Sequence, residues 1–549
     1  MSLASRILGR LWKLPAVVHR NIASEPLRVP MRDEVELLAD RYYPRNAVQA
    51  ATVLIRSCYG RSAFKLFATF FAERGLQVVI QSCRGTFGSQ GTFRPFFDEL
   101  NDGEDTVTWI ERQPWFSGKL AMWGISYLGN TAWAVAGSQA ASKVNALGLH
   151  VTLTNFRDRT YAFDGFTLMS CAEWTATMVN ILRTGGASPI RSMLGRRKMN
   201  ALSARAMAAF PLRKADRVLA PEGVSWWQDW MDHAEPGDPW WSAIDYGAAA
   251  VTMPPSVMVG GWYDIFLPFQ LRDFIAAQNA GRDVRITIGP WTHVALPGLT
   301  ESLRQSITLF QEQFGIASTP AVPQPRVRLF LMGANEWREY SCWPPPNSAP
   351  RTLHLQPSGS MSADAAAVES ESAFDYDPAH PTPSFHGAVL EARKGSGDMA
   401  DLERRSDVLV FSTEPLAQGL DVIGPVSAVI FLHSNTQHTD LYLCLCDVTS
   451  EGRSTNVCDG YRRLRPDGSA VHDARKVAIE CWPTAYRFQL GHRVRVIVAS
   501  GAHPRYSRNP GSGEPLGDTT TMVVAHQQIL HGPAYPSAIT LAVEPGERR

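Results

Sequence analysis

The 549-residue sequence has no excess of charge of either sign: 53 Lys and Arg stand against 52 Asp and Glu, a formal net charge of +1 at pH 7. That balance leaves no electrostatic footprint for a nucleic acid or an anionic membrane. It also lacks any apolar run long enough to span a bilayer, which excludes stable membrane insertion. The opening stretch MSLASRILGRLWKLPAVVHRN comes nearest to a targeting signal. Arg6, Arg10 and Lys13 interrupt its apolar residues, and it offers no clear small-residue cleavage site. It reads as a basic amphipathic helix on a membrane surface or as an arm packed on its own protein.

Eight cysteines are scattered along the chain without a C-x-x-C pair. Cys444 and Cys446 alternate on an expected strand and face one side, but no second ligand pair accompanies them, so no zinc site is expected. No metal or cofactor is called for, and free thiols suggest a cytoplasmic protein. The glycine-rich RGTFGSQGTF (84–93) has no G-K-[ST], and no helix opens from its last glycine, so it is not read as a phosphate cradle.

What is present is the composition of an ordinary globular protein, 45% apolar and 19% charged. The length calls for two or three domains. From about residue 35 strands and helices alternate. ATVLIRS (51–57), LQVVIQS (76–82), the run from Leu120 to Trp123 and NALGLHVTL (145–153) read as buried strands. FKLFATFFAERG (64–75) and NDGEDTVTWIERQ (101–113) read as helices. Continuous apolar strands between helices imply a parallel sheet covered on both faces. The rhythm stops near 155 and returns with PPSVMVGGW (254–262), PFQLRDFIAAQN (268–279) and DVRITIGPW (283–291). Residues 155–250 therefore read as a helical cap inserted into an α/β domain made of 1–154 and 251–322. Of its aromatics, including Trp174, Trp226, Trp227, Trp230, Trp240 and Trp241, most are expected to fill the cap's own core. From 323 to 549, short strands split by Gly, Asn, Asp and Ser turns imply an all-β sandwich or jelly roll. Residues 357–406 read as a long irregular loop.

Within AMWGISYLGNTAW (121–133), an apolar strand meets Gly124, and a helix follows Ser126. A serine at a tight strand-to-helix turn projects its hydroxyl beside the first backbone N–H groups of the helix, as in the nucleophile elbow G-x-S-x-G. Here the second glycine, Gly129, comes one place late, and serine is also a common N-cap, so the local pattern alone leaves both readings open. A hydrolytic serine needs a base, and the base needs an orienting carboxylate. Asp264 follows one strand in GGWYDIF and His293 follows the next in GPWTH. The order Ser, Asp, His is that of an α/β-hydrolase, each residue at the C-terminal edge of a strand. The Tyr127 N–H at the helix start is one oxyanion donor. Tyr59, in the loop after the first buried strand, carries a phenol able to supply the other.

With these residues in place the sequence resembles the CocE/NonD family of serine hydrolases, which includes cocaine esterases and X-prolyl dipeptidyl peptidases. VPMRDEVELLADRYYP resembles the family's first hairpin, QSCRGTFGSQGTF its arginine-glycine loop, and GISYLG its own form of the elbow. GGWYDIF and GPWTH are similar to its acid and base motifs, and DVIGPVSAVIFLHS and LCDVTSEGRSTNVCDG to its C-terminal jelly roll. The resemblance implies an α/β-hydrolase domain with an inserted cap and a C-terminal β domain. It implies Ser126 as nucleophile, His293 as base, Asp264 as its acid, and Tyr59 with the Tyr127 N–H as the oxyanion hole. It further implies Trp174 and Phe266 as acyl-pocket aromatics. The sequence departs at Ser82 and Cys83, where relatives tend to carry an aspartate first.

The expected substrate is a small-molecule ester, cleaved through an acyl-enzyme. The alternatives are an X-prolyl dipeptidyl peptidase or an amide- or β-lactam-type acylase of the same architecture, and a non-catalytic binding module. A peptidase of this kind needs carboxylates for a free α-amine, for which the cap offers Asp158, Asp164 and Glu173. A homo-oligomer is compatible with the sequence, which sets no oligomeric state.

Overall fold

The computed structural model describes residues 3–185, 199–316, 324–390, 395–471 and 473–545. Its first sheet draws on strands β1 (Ile22–Pro30), β2 (Glu36–Pro44), β3 (Ala50–Ser57), β4 (Leu76–Ser82), β5 (Phe116–Ile125) and β6 (Ala146–His150). A two-stranded hairpin, β7 (Tyr161–Ala162) and β8 (Gly165–Phe166), lies in the cap. The main sheet resumes with β9 (Ser256–Tyr263), β10 (Val284–Thr292), β11 (Val327–Leu331) and β12 (Glu336–Tyr340). The ten strands run in the order β1-β2-β4-β3-β5-β6-β9-β10-β11-β12. They are antiparallel at β1–β2, β2–β4 and β11–β12 and parallel elsewhere.

β4, β6 and β9 are buried along their whole length, which is why they read as unbroken apolar runs rather than alternating ones. Each Val, Leu or Ile covered in this way contributes about 1.5–3 kcal/mol. Helices Lys65–Glu73, Glu99–Glu111, Tyr127–Ala136, Leu267–Asn279 and Leu296–Phe314 cover the sheet. β11 and β12 lie beyond the 322/323 boundary expected from sequence, yet they extend the first sheet: Val327 and Leu329 are buried in register with Ile286 and Ile288 of β10.

Between β6 and β9 the chain builds the cap from helix Leu168–Thr184, a helical stretch at 199–207, helix Ser225–Asp232 and short 3-10 turns. Trp227, Trp230 and Trp241 fill its core.

The C-terminal domain is a jelly roll of an eight-stranded and a four-stranded sheet. Strand Leu420–Ser434 is its spine, pairing with four other strands. The register breaks between Val422 and Val426, at Gly424, whose φ of +142° favours glycine. Ile430, Leu443 and Val496 bury their side chains in one core shared by the two sheets.

The stretch 357–406 is not a uniform loop. It contains strand Ser370–Tyr376, paired with Ala525–His531, and a helical turn at Ala400–Glu403. This strand escapes the sequence because its covered face holds little more than Phe374 and Tyr376, the remaining side chains being polar. Residues 391–394 of that stretch lie outside the described residues.

At the N-terminus, helix Leu3–Leu11 packs as an arm on helix Lys65–Glu73. Ser5 Oγ donates to Glu73 Oε2 at 2.5 Å, and the Trp12 ring sits 5.3 Å from that of Phe70. Among the described residues no helix is long and apolar enough to cross a membrane.

Candidate active site

Ser126 lies between β5 and helix Tyr127–Ala136 with φ +53° and ψ −120°, backbone angles that a non-glycine residue holds only where its surroundings enforce them. Those surroundings are visible. The Ser126 N–H donates to His150 O on the neighbouring strand at 2.9 Å. A Cβ on Gly124 would come within 2.2 Å of the Leu128 backbone, and one on Gly129 within 2.6 Å of Thr152. The late second glycine is therefore required for the elbow helix to close on the turn after β6, while Leu128, at the usual glycine position, is fully buried.

Tyr127 anchors the other side of the turn. Its hydroxyl donates to Glu99 Oε1 at 2.7 Å and accepts from the Phe96 N–H at 3.0 Å. Glu99 in turn pairs with the fully buried Arg56 at 2.8 Å. Burial, then the charge of Glu99, pushes the Tyr127 phenol well above its ordinary pKa, so it stays a donor. Its backbone N–H is at the first position of the helix, where no intrahelical acceptor exists.

Asp264 and His293 each stand one residue past the end of a strand, β9 and β10. His293 Nδ1 donates to Asp264 Oδ2 at 2.6 Å, and the Ser126 hydroxyl donates to His293 Nε2 at 2.8 Å. The carboxylate fixes this tautomer, and its other oxygen accepts the Phe266 N–H at 2.8 Å. The Phe266 ring meets the imidazole edge-on at 4.9 Å. From the β domain, Trp482 Nε1 donates to the Asp264 carbonyl at 2.9 Å.

The three residues expected to act together are thus in direct contact. Ser126 and His293 face a cleft of about 380 Å³, partly open to solvent and lined also by Trp174 from the cap and by Leu390 from the β domain, while Asp264 is buried behind His293. Phe266 and Tyr127 border it as well. Tyr59 connects to it through Trp174, whose indole N–H donates to the Tyr59 hydroxyl at 2.9 Å. Burial raises the Tyr59 phenol well above its usual pKa, so the hydroxyl keeps a proton to donate. Ser82, where relatives tend to carry an aspartate, accepts from Arg61 Nη1 at 2.7 Å. Cys444 and Cys446 place their sulfurs 3.6 Å apart inside the β domain.

Residues 33–295 match the X-Pro dipeptidyl-peptidase (S15 family), and 321–540 match the X-Pro dipeptidyl-peptidase C-terminal non-catalytic domain. Cocaine esterase of Rhodococcus sp. (strain MB1 Bresler) is 32% identical over 94% of this chain and 97% of its own. The chain belongs to the CocE/NonD family of serine hydrolases.

Solved structures show the same fold over nearly the whole length. An α-amino acid ester hydrolase has a TM-score of 0.79 at 21% identity, covering 96% of this chain and 98% of that one. An aminopeptidase from a marine sediment Thaumarchaeota archaeon has a TM-score of 0.79 at 20% identity, covering 97% and 98%. Within this family fold, three residues of the site are not singled out from the sequence. Asn130 is one helical turn past Ser126, a spacing that marks it once the helix start is fixed. Arg159 and Trp482 reach the site from the cap and the β domain, and nothing in FRDRTY or ECWPT marks them.

Proposed function

We propose that this serine hydrolase is a carboxylesterase in which Ser126 is the nucleophile. The observation that carries this is the unbroken chain of hydrogen bonds from Ser126 Oγ through His293 to Asp264. His293 Nε2 takes the Ser126 proton as Oγ attacks the ester carbonyl, and the Asp264 carboxylate stabilises the imidazolium that results. The Tyr59 hydroxyl and the Tyr127 N–H hold the oxyanion. His293 then gives its proton to the departing alkoxide, leaving Ser126 acylated. Water, deprotonated by His293, releases the acid and restores the serine. Trp174 and Phe266 bound the space for the acyl group. In this scheme 1–154 and 251–322 carry the triad, the 155–250 cap roofs the cleft, and the 323–549 domain walls it through Leu390 and holds the Asp264 loop through Trp482. A cytoplasmic location fits the eight free cysteines.

Two of the three cap carboxylates weigh against the peptidase alternative, while the third, Glu173, lines the adjoining cavity with Arg159. Asp158 pairs with Arg272 at 2.6 Å, and Asp164 is shared between Arg157 and Arg462. Neither is left for a substrate's α-amine.

A fluorophosphonate tests the nucleophile directly. One adduct per chain is expected, on the peptide containing Ser126, and it should vanish in Ser126→Ala together with hydrolysis of 4-nitrophenyl butyrate. An adduct on another serine overturns the assignment. Faster turnover of a dipeptidyl anilide with proline at the cleavage site than of the aryl ester overturns the esterase reading while leaving the triad.

A further inference from the structure

The cavity over Ser126 holds two polar side chains that ester hydrolysis leaves unused. Asn130 is 2% exposed, and neither its Oδ1 nor its Nδ2 has a hydrogen-bond partner among the described residues. Buried carboxamides are almost always satisfied, because an unmade hydrogen bond there carries the full desolvation cost.

Arg159 is 5% exposed. Other buried arginines of this chain face carboxylates: Arg56 pairs with Glu99, Arg463 with Asp440 and Arg505 with Asp459. Arg159 has no carboxylate within ion-pair distance among the described residues. Its guanidinium donates only to the Cys171 sulfur at 2.9 Å and to the Ser170 carbonyl at 3.3 Å. It is held instead among the rings of Phe156, Trp174 and Trp230, 5.2–5.4 Å from their centroids. Aromatic faces place a cation but do not neutralise it, and charged groups are seldom buried without a counter-ion.

Arg159 lines two cavities at once, the one over Ser126 and an adjoining one of about 390 Å³. Ser126, Trp174 and Arg159 thus share one cavity wall. Resting on the esterase assignment above, we propose that Arg159, with Asn130 beside it, is the subsite for a substrate carboxylate, and that the preferred substrates are anionic esters with a carboxylate on a short chain from the scissile bond. The substrate carboxylate supplies the counter-charge that Arg159 lacks, and the guanidinium holds it as a charge-assisted, bidentate donor. The Asn130 amide donates to the same anion or to a polar group along the chain. The same charge disfavours substrates carrying a free ammonium.

The carboxylate can sit on the acyl or on the alcohol side, and three esters separate these. They are mono-4-nitrophenyl glutarate (acyl side), 4-acetoxybenzoate (alcohol side) and 4-nitrophenyl butyrate (neutral). One of the two anionic esters is expected to exceed the neutral one in kcat/KM in the wild-type enzyme, after correction for their uncatalysed rates. The anionic-to-neutral ratio should fall tenfold or more in Arg159→Gln and in Asn130→Ala by a smaller factor. A ratio that stays constant while all rates fall together assigns Arg159 to packing and overturns the subsite. The wild type offers a reading that needs no variant: glutarate should inhibit hydrolysis of the neutral ester competitively, at concentrations at least tenfold below those needed for glutaramide. Equal potency of the two overturns the proposal. Failure of the wild type to hydrolyse any of the three esters counts instead against the esterase assignment.

Discussion

Trp482 in the β domain donates its indole N–H to the backbone carbonyl of Asp264 at 2.9 Å, so the jelly roll grips the loop that carries the proposed acid. The indole is itself fixed. Its backbone N–H donates to Asp459 O at 2.7 Å, and the Arg505 guanidinium stacks 4.7 Å above its ring. A domain without any triad residue thus helps set the position of the Asp264 carboxylate. Trp482→Phe keeps the ring and removes the donor. The lost hydrogen bond is worth about 1 kcal/mol, so kcat should fall by about tenfold or less with KM little changed. Steady-state kinetics with a circular-dichroism melt checks this: a purely structural tryptophan would lower the melting temperature and leave kcat per folded molecule intact.

Asp264→Asn tests the acid itself. The asparagine preserves shape but favours the other imidazole tautomer and cannot stabilise the imidazolium, so kcat should drop by about 10⁴. A near-normal rate would transfer the role to another carboxylate. Asp273 is the neighbour to consider by sequence, but both of its oxygens are engaged by Thr154, at 2.9 Å to the backbone N–H and 2.8 Å to the hydroxyl.

The site was more legible than the walls around it, and the reason is physical. Ser126, Asp264 and His293 sit at ends of buried strands, where apolar runs stop at abrupt turns, so local pattern marks each position. The elbow's late glycine becomes intelligible only in three dimensions, since Gly129 answers to Thr152, 23 positions further on by the numbering. Arg159 and Leu390 converge on the cavity from segments with no common periodicity, and such convergence leaves no trace in any one stretch. The same holds for β11 and β12, whose membership in the first sheet depends on pairing with β10 rather than on their own composition.

Asp273 also predicts how stability depends on pH. Burial, opposed by the nearby charge of Arg272, raises its carboxyl from an ordinary value of 3.8 to about 7. The folded protein therefore binds this proton more tightly than the unfolded chain does. Below pH 4 the group is protonated in both states and its stabilising contribution is fully present. As pH rises toward 7 the unfolded state loses the proton first, and the contribution is lost. The slope cannot exceed one proton, about 1.4 kcal/mol per pH unit. Chemical denaturation at a series of pH values between 4 and 8 should show Asp273→Asn flattening this segment of the stability curve. An unchanged slope in the variant would assign the pH dependence to other groups.

Tyr59→Phe separates catalysis from packing most cleanly. The Tyr59 hydroxyl accepts the Trp174 indole N–H at 2.9 Å, so that bond does not consume its own proton. Because burial keeps the phenol protonated, this donor persists across the whole working pH range. An oxyanion donor acts mainly on the tetrahedral intermediate, where charge gathers on oxygen, and less on the ground-state carbonyl. Removing the hydroxyl should therefore lower kcat by about 10² to 10³, with a modest change in KM. The ring remains, and its edge contact with Tyr127, 6.3 Å between centroids, survives, so the melting temperature should move little. The variant does leave the Trp174 N–H without its acceptor, and Tyr59→Phe combined with Trp174→Phe removes both partners. If the hydroxyl serves only to satisfy the indole, the double variant should recover the rate lost by the single one. If it serves the oxyanion, the double variant stays as slow as the single one or slower.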